Sequence, residues 1–343
     1  MTPLLRFWTE QHGIRRPLET DTWGRHVLNR YVVAALMNTF PVAATRIFSM
    51  SRGELARLLF VQREGGSFRV LRTMYDYENP DLRGDLLNRL LMQSPAVKAA
   101  RNRRTIAQKL LQTCLAAQPQ GVPALVLAIG GGDGSLEVEV IARAGRPDVY
   151  YCGVDKDERA AEEIGLVLKR HGLDGKGFVY LGNVAEKSDM ESVLDAAREH
   201  FGIPFEGARI AVCHGIAEYL DIGSHSNETL AKLLGAIHHC TRPEGNLIIS
   251  QTDYHDRVAF LELGLAWHMR LRSSEELSAE IEKAGWRISV CEHEPMRLIS
   301  MCLAVKPDAQ HVRVDASRRA NRSHETSPRR RRALWRLWTR SQR

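Results

Sequence analysis

Two short stretches of the chain combine glycines with carboxylates at a spacing that suits a nucleoside ligand. Residues 130–134 read Gly-Gly-Gly-Asp-Gly, and a single acid, Asp155, follows about twenty residues further on. Glycines allow a tight turn and let a ligand approach the backbone, because they have no Cβ atom. An acid in the position of Asp155 can accept hydrogen bonds from both hydroxyl groups of a ribose. The pattern therefore predicts that an adenosine-containing cofactor binds here.

The elements around these residues are those of a nucleotide-binding βαβ unit. Residues 124–129 are all apolar and predict a buried parallel strand, and helical spacing resumes at Ser135. A second strand is predicted over 149–155 and ends at Asp155. The glycines then lie between a strand and the N-terminal end of a helix, whose unpaired N–H groups point into the turn.

The loop itself argues against a nicotinamide dinucleotide. Its glycines follow the spacing Gly130-x-Gly132-x-Gly134 rather than G-x-G-x-x-G. It also carries Asp133 and is followed by Glu137, with no basic residue between them, so a pyrophosphate would be repelled. A cofactor with an adenosine, no phosphate groups and a cationic centre suits the loop better. S-adenosylmethionine meets that description.

These stretches resemble the first two motifs of the class I S-adenosylmethionine-dependent methyltransferases, carried here by residues 129–134 and by Gly153-Val154-Asp155. The resemblance covers residues 120–306. It implies an α/β fold with a Rossmann-like seven-stranded methyltransferase sheet. The chain departs from the family at Ala128, where an acid commonly helps to hold the amino-acid end of the cofactor. Another group must then serve, or that end is held differently.

The chain divides into three predicted regions. Residues 1–118 show mostly helical spacing and predict an N-terminal helical cap that binds substrate, although 68–74 are predicted as a short strand. Residues 119–306 are predicted to form the cofactor-binding domain, in which 257–269 are expected to be helical. Residues 307–343 are predicted to be a basic, disordered tail.

Further cofactor contacts are expected at the carboxyl ends of the predicted strands, where ligands bind in such sheets. The resemblance places Asn183 where a residue contacts the adenine amino group, although an ordinary turn asparagine would look the same. His214 and Gly215 would lie close to the sulfonium and its methyl group. Arg101 or Asn102 could reach the cofactor carboxylate in place of the acid missing at position 128, or they belong to a solvated basic face. The predicted cofactor-binding residues are Gly130, Gly132, Gly134, Asp155, Lys156, Asn183, Val184, His214, Gly215 and Arg101.

Methyl transfer from a sulfonium requires an aligned nucleophile and, for some acceptors, a base, but no metal. Histidine titrates near neutral pH, so His214 is the first candidate for a base. The other catalytic candidates are Tyr219, Tyr254 and His255, and the predicted substrate contacts are Tyr75 and Tyr77. For each of these residues a role in packing alone is the alternative.

The charge distribution bears on the partners. Of the formal net charge of +7, the segment 307–343 contributes +8, and the other 306 residues sum to −1. The near-neutral body and the absence of an Asn/Asp-Pro-Pro-Tyr motif after the fourth strand argue against a specific nucleic-acid substrate. We therefore predict a small-molecule acceptor enclosed by the cap.

The basic amphipathic segment 329–338 could contact an anionic surface or a protein, or have no specific role. The sequence leaves open whether the chain forms an oligomer.

Two other functions remain open at this stage. In the first, the same cofactor is attacked at its aminocarboxypropyl arm, by another molecule or by its own amine, with release of methylthioadenosine. In the second, the chain is a binding protein with a vestigial cofactor fold that acts through its basic tail.

The cysteines and the hydropathy pattern indicate a cytoplasmic protein. Six scattered cysteines without a C-x-x-C pair predict small buried thiols in a reducing compartment and no metal site. The N-terminal segment lacks the apolar region of a signal peptide, and no uninterrupted apolar run of about twenty residues predicts a transmembrane helix.

Overall fold

The computed structural model describes residues 3–11, 18–22, 24–25, 28–76, 85–184, 186–222, 229–254 and 260–308. The chain divides after Lys306 into two units, and only Pro307 and Asp308 of the second are described. Tyr77, His255 and the basic segment 329–338 lie outside the described residues.

Seven strands form one sheet. In chain order they are β1 (Ala124–Ile129), β2 (Val149–Asp155), β3 (Gly177–Leu181), β4 (Ala208–Cys213), β5 (Thr241–Thr252), β6 (Arg287–His293) and β7 (Ile299–Val305). Their order in the sheet is β3-β2-β1-β4-β5-β7-β6. The first five strands are parallel, and β7 lies antiparallel between β5 and β6. This order confirms the predicted Rossmann-like seven-stranded methyltransferase sheet.

Helices dominate the described part of the chain before β1. They are α1 (Pro3–Arg6, followed by a π-helical segment at Phe7–Gln11), α2 (Ala34–Thr39, preceded by a π-helical segment at Leu28–Val33), α3 (Pro41–Ser49), α4 (Glu54–Ala56, followed by a π-helical segment at Arg57–Val61), α5 (Phe68–Tyr75), α6 (Leu86–Met92) and α7 (Pro95–Ala116). Those among and after the strands are α8 (Ser135–Ala144), α9 (Glu158–Arg170), α10 (Lys187–Phe201), α11 (Leu230–Cys240) and α12 (Ser274–Lys283).

The central strand β1 is buried on both faces, as its uninterrupted apolar sequence predicts. Because successive side chains of a strand point to opposite faces, Val126 packs into one core and Leu127 into the other. The first core includes side chains from α7, α8 and α9, and the second includes side chains from α10, α11 and α12. The sheet is therefore covered by helices on both sides.

The segment 68–74, predicted as a strand, forms α5 instead. Val70, Thr73 and Met74 are buried at the i, i+3, i+4 spacing of one helical face. Ser67 caps the helix, because its hydroxyl accepts a hydrogen bond from the N–H of Val70 at 3.3 Å. The strand prediction was wrong because apolar residues at 68, 70, 71 and 74 fit either period in so short a segment, and only their packing partners select the helix.

A third core lies among the N-terminal helices. It joins side chains of α4, α5 and α6 to Phe260 and Leu265 from beyond β5. The helix predicted over 257–269 ends earlier than expected, since its described part is a π-helical segment at Phe260–Gly264. Ala266 has a φ of 51°, which helical geometry does not allow, and the residues after it are not helical.

Two of the six cysteines differ from the prediction of buried thiols. Cys291 on β6 and Cys302 on β7 face each other in the antiparallel pair and form a disulfide. The remaining four are free and buried, as predicted: Cys114, Cys152, Cys213 and Cys240. Sequence spacing did not reveal the pair, because strand register brings the two residues together.

A buried ion pair holds the turn that leads from α7 into β1. Arg146 contacts Asp148 with 2.6 Å between Nη2 and Oδ2, and it also donates to three backbone carbonyl groups between Leu115 and Pro119. Asp148 accepts a further hydrogen bond from the N–H of Gly121 at 2.8 Å. The hydrogen bond from Arg146 is the main reason why the pKa of Asp148 is lowered to about 2.

We expect Asp148→Asn to lower the free energy of unfolding at pH 7 by about 1–3 kcal/mol, because it leaves a partly buried guanidinium without its carboxylate. Since the pKa of Asp148 is depressed in the folded state, this stabilisation is complete above the ordinary value of 3.8 and is lost as the pH falls through about 2. Urea denaturation of both proteins at pH 7 and at lower pH measures the difference, which should shrink in acid. The control, Asp195→Asn, breaks an exposed pair with Arg198 and should cost less than about 1 kcal/mol. Equal losses in the two variants would contradict the assignment.

Candidate functional site

The glycine-rich turn between β1 and α8 forms the floor of the site. Gly130, Gly132 and Gly134 have φ values of 60°, 57° and 66°, a region that favours glycine. A Cβ atom on Gly130 would lie 2.3 Å from the side chain of Ile216, and one on Gly134 would lie 3.0 Å from the hydroxyl oxygen of Tyr151. The turn is therefore restricted to glycine by its backbone conformation and by its neighbours.

The start of α8 carries a carboxylate where a nucleotide-binding loop would present a phosphate site. Asp133 Oδ1 accepts hydrogen bonds from the N–H of Ser135 at 3.1 Å and from its hydroxyl at 2.8 Å. The anion-binding capacity of the helix N-terminus is thus already used by the protein. A second anion, such as a pyrophosphate, would be repelled by Asp133.

Asp155, at the end of β2, lies beside the turn. Its Oδ2 accepts a hydrogen bond from the N–H of Gly132 at 3.1 Å, and its Oδ1 accepts one from the N–H of Asp157 at 3.0 Å. A carboxylate has about four lone-pair positions, so acceptor capacity remains for two hydroxyl groups. Lys156, the next residue, is exposed to solvent.

The end of β3 places Asn183 and Val184 next in line. The N–H of Asn183 donates to Asp189 Oδ2 at 2.7 Å, and Val184 packs half-buried against the second core. Since β1, β2 and β3 are neighbours, the glycine turn, Asp155 and Asn183 occupy successive positions along the carboxyl edge of the sheet. This is the linear arrangement that an extended nucleoside requires.

On the other side of β1, the end of β4 carries His214. Its Nδ1 lies 3.2 Å from the hydroxyl oxygen of Ser250 on β5. Its Nε2 is buried and has no hydrogen-bond partner among the described residues. Burial, and then the positive charge of Arg103, lower the pKa of His214 to about 3, so the imidazole is neutral at physiological pH.

Arg103 on α7 occupies the space next to His214. Its Nη1 lies 3.6 Å from Glu218 Oε1, and its Nη2 donates to the hydroxyl oxygen of Tyr75 at 3.0 Å. Both charged residues are only 3% exposed. A Cβ atom on Gly215 would lie 3.4 Å from Arg103 Nη1, an ordinary contact, so it is the φ of 74° rather than lack of space that favours glycine here. We refer to Tyr75, Arg103, His214 and Glu218 as the Arg103 cluster.

The Arg103 cluster has unused hydrogen-bonding capacity. Arg103 Nε and Glu218 Oε2 are buried and, like His214 Nε2, lack a partner among the described residues. Burial raises the pKa of Glu218 despite the neighbouring arginine. Buried polar atoms of native proteins are nearly always paired, so three unpaired atoms in one cluster indicate that ordered water or a ligand completes it.

Helix α5 forms the roof of the site. The Cβ of Phe68 lies 3.3 Å from the position that a Cβ on Gly132 would take, and Leu71 lies 3.7 Å from the corresponding position on Gly215. The helix therefore extends from the turn after β1 to the turn after β4. Its last residue, Tyr75, contacts Arg103 through its hydroxyl group.

Tyr219 and Trp267 form one wall. The indole N–H of Trp267 donates to the hydroxyl oxygen of Tyr219 at 2.9 Å. The turn at Gly65 and Gly66 closes on this pair, because Cβ atoms there would lie 2.8 Å from Trp267 and 2.3 Å from the hydroxyl oxygen of Tyr219. Burial raises the pKa of Tyr219, so its hydroxyl group remains protonated.

Two of the predicted residues lie elsewhere. The guanidinium of Arg101 pairs with Glu19 and donates to the carbonyl groups of Met74 and Met92. The side chain of Tyr254 is 57% exposed and contacts Glu276. Tyr77 and His255 lie outside the described residues, so the structure bears on neither.

Sequence reasoning missed Arg103 and Glu218. Arg103 stands in the run Arg101-Asn102-Arg103-Arg104, and residues two apart in a helix point in nearly opposite directions. Helical spacing was predicted for this region, but the face of α7 that meets the sheet was not. A signal was present, because Arg103 lies three residues before the buried Ile106 and shares its helical face.

The described residues contain no group of His, Cys, Asp and Glu arranged to hold a metal ion.

The comparisons with known proteins bear on the fold. No protein-family model matches the sequence, and no curated protein matches it. A structure described as a possible exported protein from Bordetella parapertussis aligns with a TM-score of 0.59 and 18% identity, over 84% of this chain and 100% of that chain.

Two structures described as methyltransferases are less similar. The CurJ carbon methyltransferase aligns with a TM-score of 0.49 and 13% identity, over 80% of this chain and 70% of that chain. An O-methyltransferase family protein from Burkholderia thailandensis aligns with a TM-score of 0.46 and 12% identity, over 78% and 72%. Similarity at this level supports no conclusion about activity. The strand order β3-β2-β1-β4-β5-β7-β6, in contrast, shows that the chain has the fold of the class I S-adenosylmethionine-dependent methyltransferases.

Proposed function

We propose that this protein is an S-adenosylmethionine-dependent methyltransferase that acts on a small-molecule acceptor. Residues 119–306 serve as the cofactor-binding domain, and residues 1–118 serve as a cap that encloses the acceptor. The observation that carries the proposal is the contact between the glycine turn and Asp155, at 3.1 Å from Gly132 N to Asp155 Oδ2. It brings a turn without Cβ atoms and a ribose-binding carboxylate to adjacent strand ends.

The chain's residues fit the parts of this cofactor in order along the sheet edge. Asn183 would accept a hydrogen bond from the adenine amino group, and Asp155 would accept hydrogen bonds from the ribose hydroxyls. The sulfonium would lie over the glycine turn, near the carboxylate of Asp133, whose negative charge suits a cation. When bound, the cofactor supplies a methyl group made reactive by the positive sulfur.

The amino-acid end of the cofactor would extend past β1 toward β4, where the Arg103 cluster lies. Ala128 is fully buried and cannot hold this end, so the family's usual acid has no counterpart there. Arg103 would bind the carboxylate of the cofactor, and Glu218 would bind its ammonium group. These contacts would satisfy Arg103 Nε and Glu218 Oε2, which lack partners among the described residues.

His214 is suited to orient the acceptor through a hydrogen bond rather than to act as a general base that takes up its proton. A pKa of about 3 means that protonation of the buried ring is strongly disfavoured near neutral pH. The neutral ring can still accept or donate one hydrogen bond at Nε2. Tyr75 and Tyr219 would enclose the acceptor from the α5 side and from the Trp267 side, and both keep water away from the transferred methyl group.

A cytoplasmic location is part of the proposal. The four buried free thiols are compatible with it, whereas the Cys291–Cys302 disulfide is a feature more common in oxidising compartments. Attack on the aminocarboxypropyl arm of the cofactor is the alternative reaction that the experiments can detect. It is kept as an alternative because Ala128 replaces the acid that commonly holds this end of the cofactor.

The first experiment tests the cofactor. Asp155→Ala should weaken binding of S-adenosylmethionine by about 1.5–3 kcal/mol, because two charge-assisted hydrogen bonds to the ribose are lost. Calorimetric titration measures the affinity, with NAD titrated in parallel. Asp174→Ala, which removes an exposed acid before β3, is the matched control and should bind as the wild type does. Unchanged binding in Asp155→Ala would contradict the cofactor assignment.

The second experiment tests the amino-acid end. S-adenosylhomocysteine and methylthioadenosine share the adenosine, but the second lacks the amino-acid end. Arg103→Gln should raise the Kd of S-adenosylhomocysteine by about 10- to 100-fold, the cost of one charged hydrogen-bond pair, and leave that of methylthioadenosine unchanged. Arg101→Gln, on the same helix, should change neither.

Two controls and two contradicting outcomes complete this second test. Circular dichroism melting shows whether each variant is folded, and Glu218→Gln offers an independent variant on the other partner. Equal weakening of both ligands in Arg103→Gln would contradict a specific role at the amino-acid end. Detection of methylthioadenosine as the reaction product, rather than S-adenosylhomocysteine, would identify arm chemistry and overturn methyl transfer.

The third experiment tests the state of His214. Its ring resonances should show no titration midpoint above about pH 4.5, because its pKa is lowered to about 3 from 6.5. Two-dimensional NMR of the histidine rings, assigned by comparison with His214→Gln, measures this directly. The lowered pKa also means that His214 destabilises the folded state as the pH falls from about 6.5 to about 3, since only the unfolded chain then gains a proton. A midpoint near the ordinary value would instead support a role as base.

A further inference from the structure

Helices α2 and α3, with the π-helical segment before them, carry an apolar surface that is exposed to solvent. Between residues 28 and 50, eight large apolar side chains are 46–78% exposed. We call them the apolar ridge: Leu28, Tyr31, Val32, Leu36, Phe40, Val42, Ile47 and Met50. Soluble proteins rarely expose contiguous apolar patches of this kind unless a partner or a membrane covers them.

The opposite face of the same segment is anchored to the protein body. Ala34 is buried, and Met37 and Phe48 pack against the third core. The hydroxyl of Thr45 donates to the carbonyl of Gly264 at 3.1 Å, and Asn38 Oδ1 accepts from the N–H of Phe260 at 3.0 Å. The apolar ridge is therefore the solvent-facing side of a helical segment whose other side packs against the protein. It is not a core surface exposed by misplacement of the segment.

The two helical segments that carry the ridge meet at a sharp angle. The segments Tyr31–Thr39 and Pro41–Ser49 meet at 99°, with Phe40 at the corner. No single helix among the described residues is long and apolar enough to cross a membrane. A bent, one-sided apolar segment is suited to lie in an interface rather than to span it.

Positive charge predominates around the ridge. Four arginines and no acid stand between Asp21 and Glu54, at positions 25, 30, 46 and 52, and the fifteen residues 31–45 are uncharged. Arg25, Arg46 and Arg52 are exposed, and no ion pair joins the side chains of the last two to a described residue. Two acids lie nearby, since the segment Phe260–Gly264 contributes the exposed Glu262 and Asp85 accepts a hydrogen bond from the N–H of Arg52 at 2.7 Å. The four arginines still outnumber them.

We propose that the apolar ridge docks on the surface of an anionic lipid bilayer. Phe40 and its apolar neighbours enter the boundary between headgroups and acyl chains, and the flanking arginines contact the anionic headgroups. A second copy of this chain is a poorer occupant, because a symmetric dimer through the ridge would bring the same arginines together from both subunits. This binding is independent of the proposed methyl transfer.

Sedimentation of the full-length protein with lipid vesicles tests the proposal. Wild-type protein should bind vesicles of phosphatidylcholine with about 30 mol% phosphatidylserine more tightly than vesicles of phosphatidylcholine alone, and added salt should weaken this binding. Phe40→Asp should reduce the partition coefficient by about tenfold or more. Leu166→Asp, which changes an equally exposed leucine on α9, should bind as the wild type does.

The other outcomes would overturn the proposal. Wild-type binding by Phe40→Asp would assign any vesicle binding to another part of the chain, such as the basic segment 329–338. No vesicle binding by the wild type, with a dimer in analytical ultracentrifugation that Phe40→Asp dissociates, would identify a second copy as the occupant. Since Phe40 is 58% exposed, the substitution should leave the thermal unfolding temperature nearly unchanged, which a melting curve checks.

Discussion

The close packing around the glycine turn is the constraint on which the rest of the site depends. A Cβ atom on Gly130 would meet Ile216, which follows β4, whereas Cβ atoms on Gly131, Gly134 and Gly153 would meet the hydroxyl oxygen of Tyr151 at 2.8–3.1 Å. The turn therefore joins the ends of β1, β2 and β4 at contact distance. A larger side chain at any of these glycines would push the strand ends apart and move Asp155 away from the turn.

The second organising feature is the burial of charge at the end of β4. Helix α7 carries Arg103 into a site where it is 3% exposed, next to Glu218, and the 3.6 Å between them is longer than a hydrogen bond. Such a pair costs desolvation that its mutual attraction repays only in part. An arrangement of this kind is typical of functional sites, where a bound ligand supplies the missing hydrogen bonds.

The N-terminal helices connect this site to the outer surface. Helix α5 covers the turns after β1 and β4, and the turn at Gly65 and Gly66 closes on Tyr219 and Trp267. The same group of helices presents the apolar ridge on its outer face. These N-terminal helices therefore present three different surfaces. One packs in the third core, one covers the polar site, and one is apolar and exposed to solvent.

Much of the sheet could be predicted from the sequence. The bounds of β1 and β2 agree with those predicted, since buried parallel strands appear as continuous apolar runs bounded by turns. The strand order came from the family resemblance rather than from these runs. The segment 68–74 was misassigned, because seven residues contain too few repeats to separate a period of 2 from one of 3.6.

The sequence by itself determined the glycine turn, its acid at Asp155 and the alternation of strands and helices after it, because each depends on local conformation or on short-range spacing. Tertiary structure alone decided which arginine of α7 enters the site, that Cys291 faces Cys302, and that the pKa of His214 is lowered to about 3. These three properties depend on helix rotation, on strand register and on burial. Each is set by contacts between residues far apart in the chain or on different elements, which no local pattern encodes.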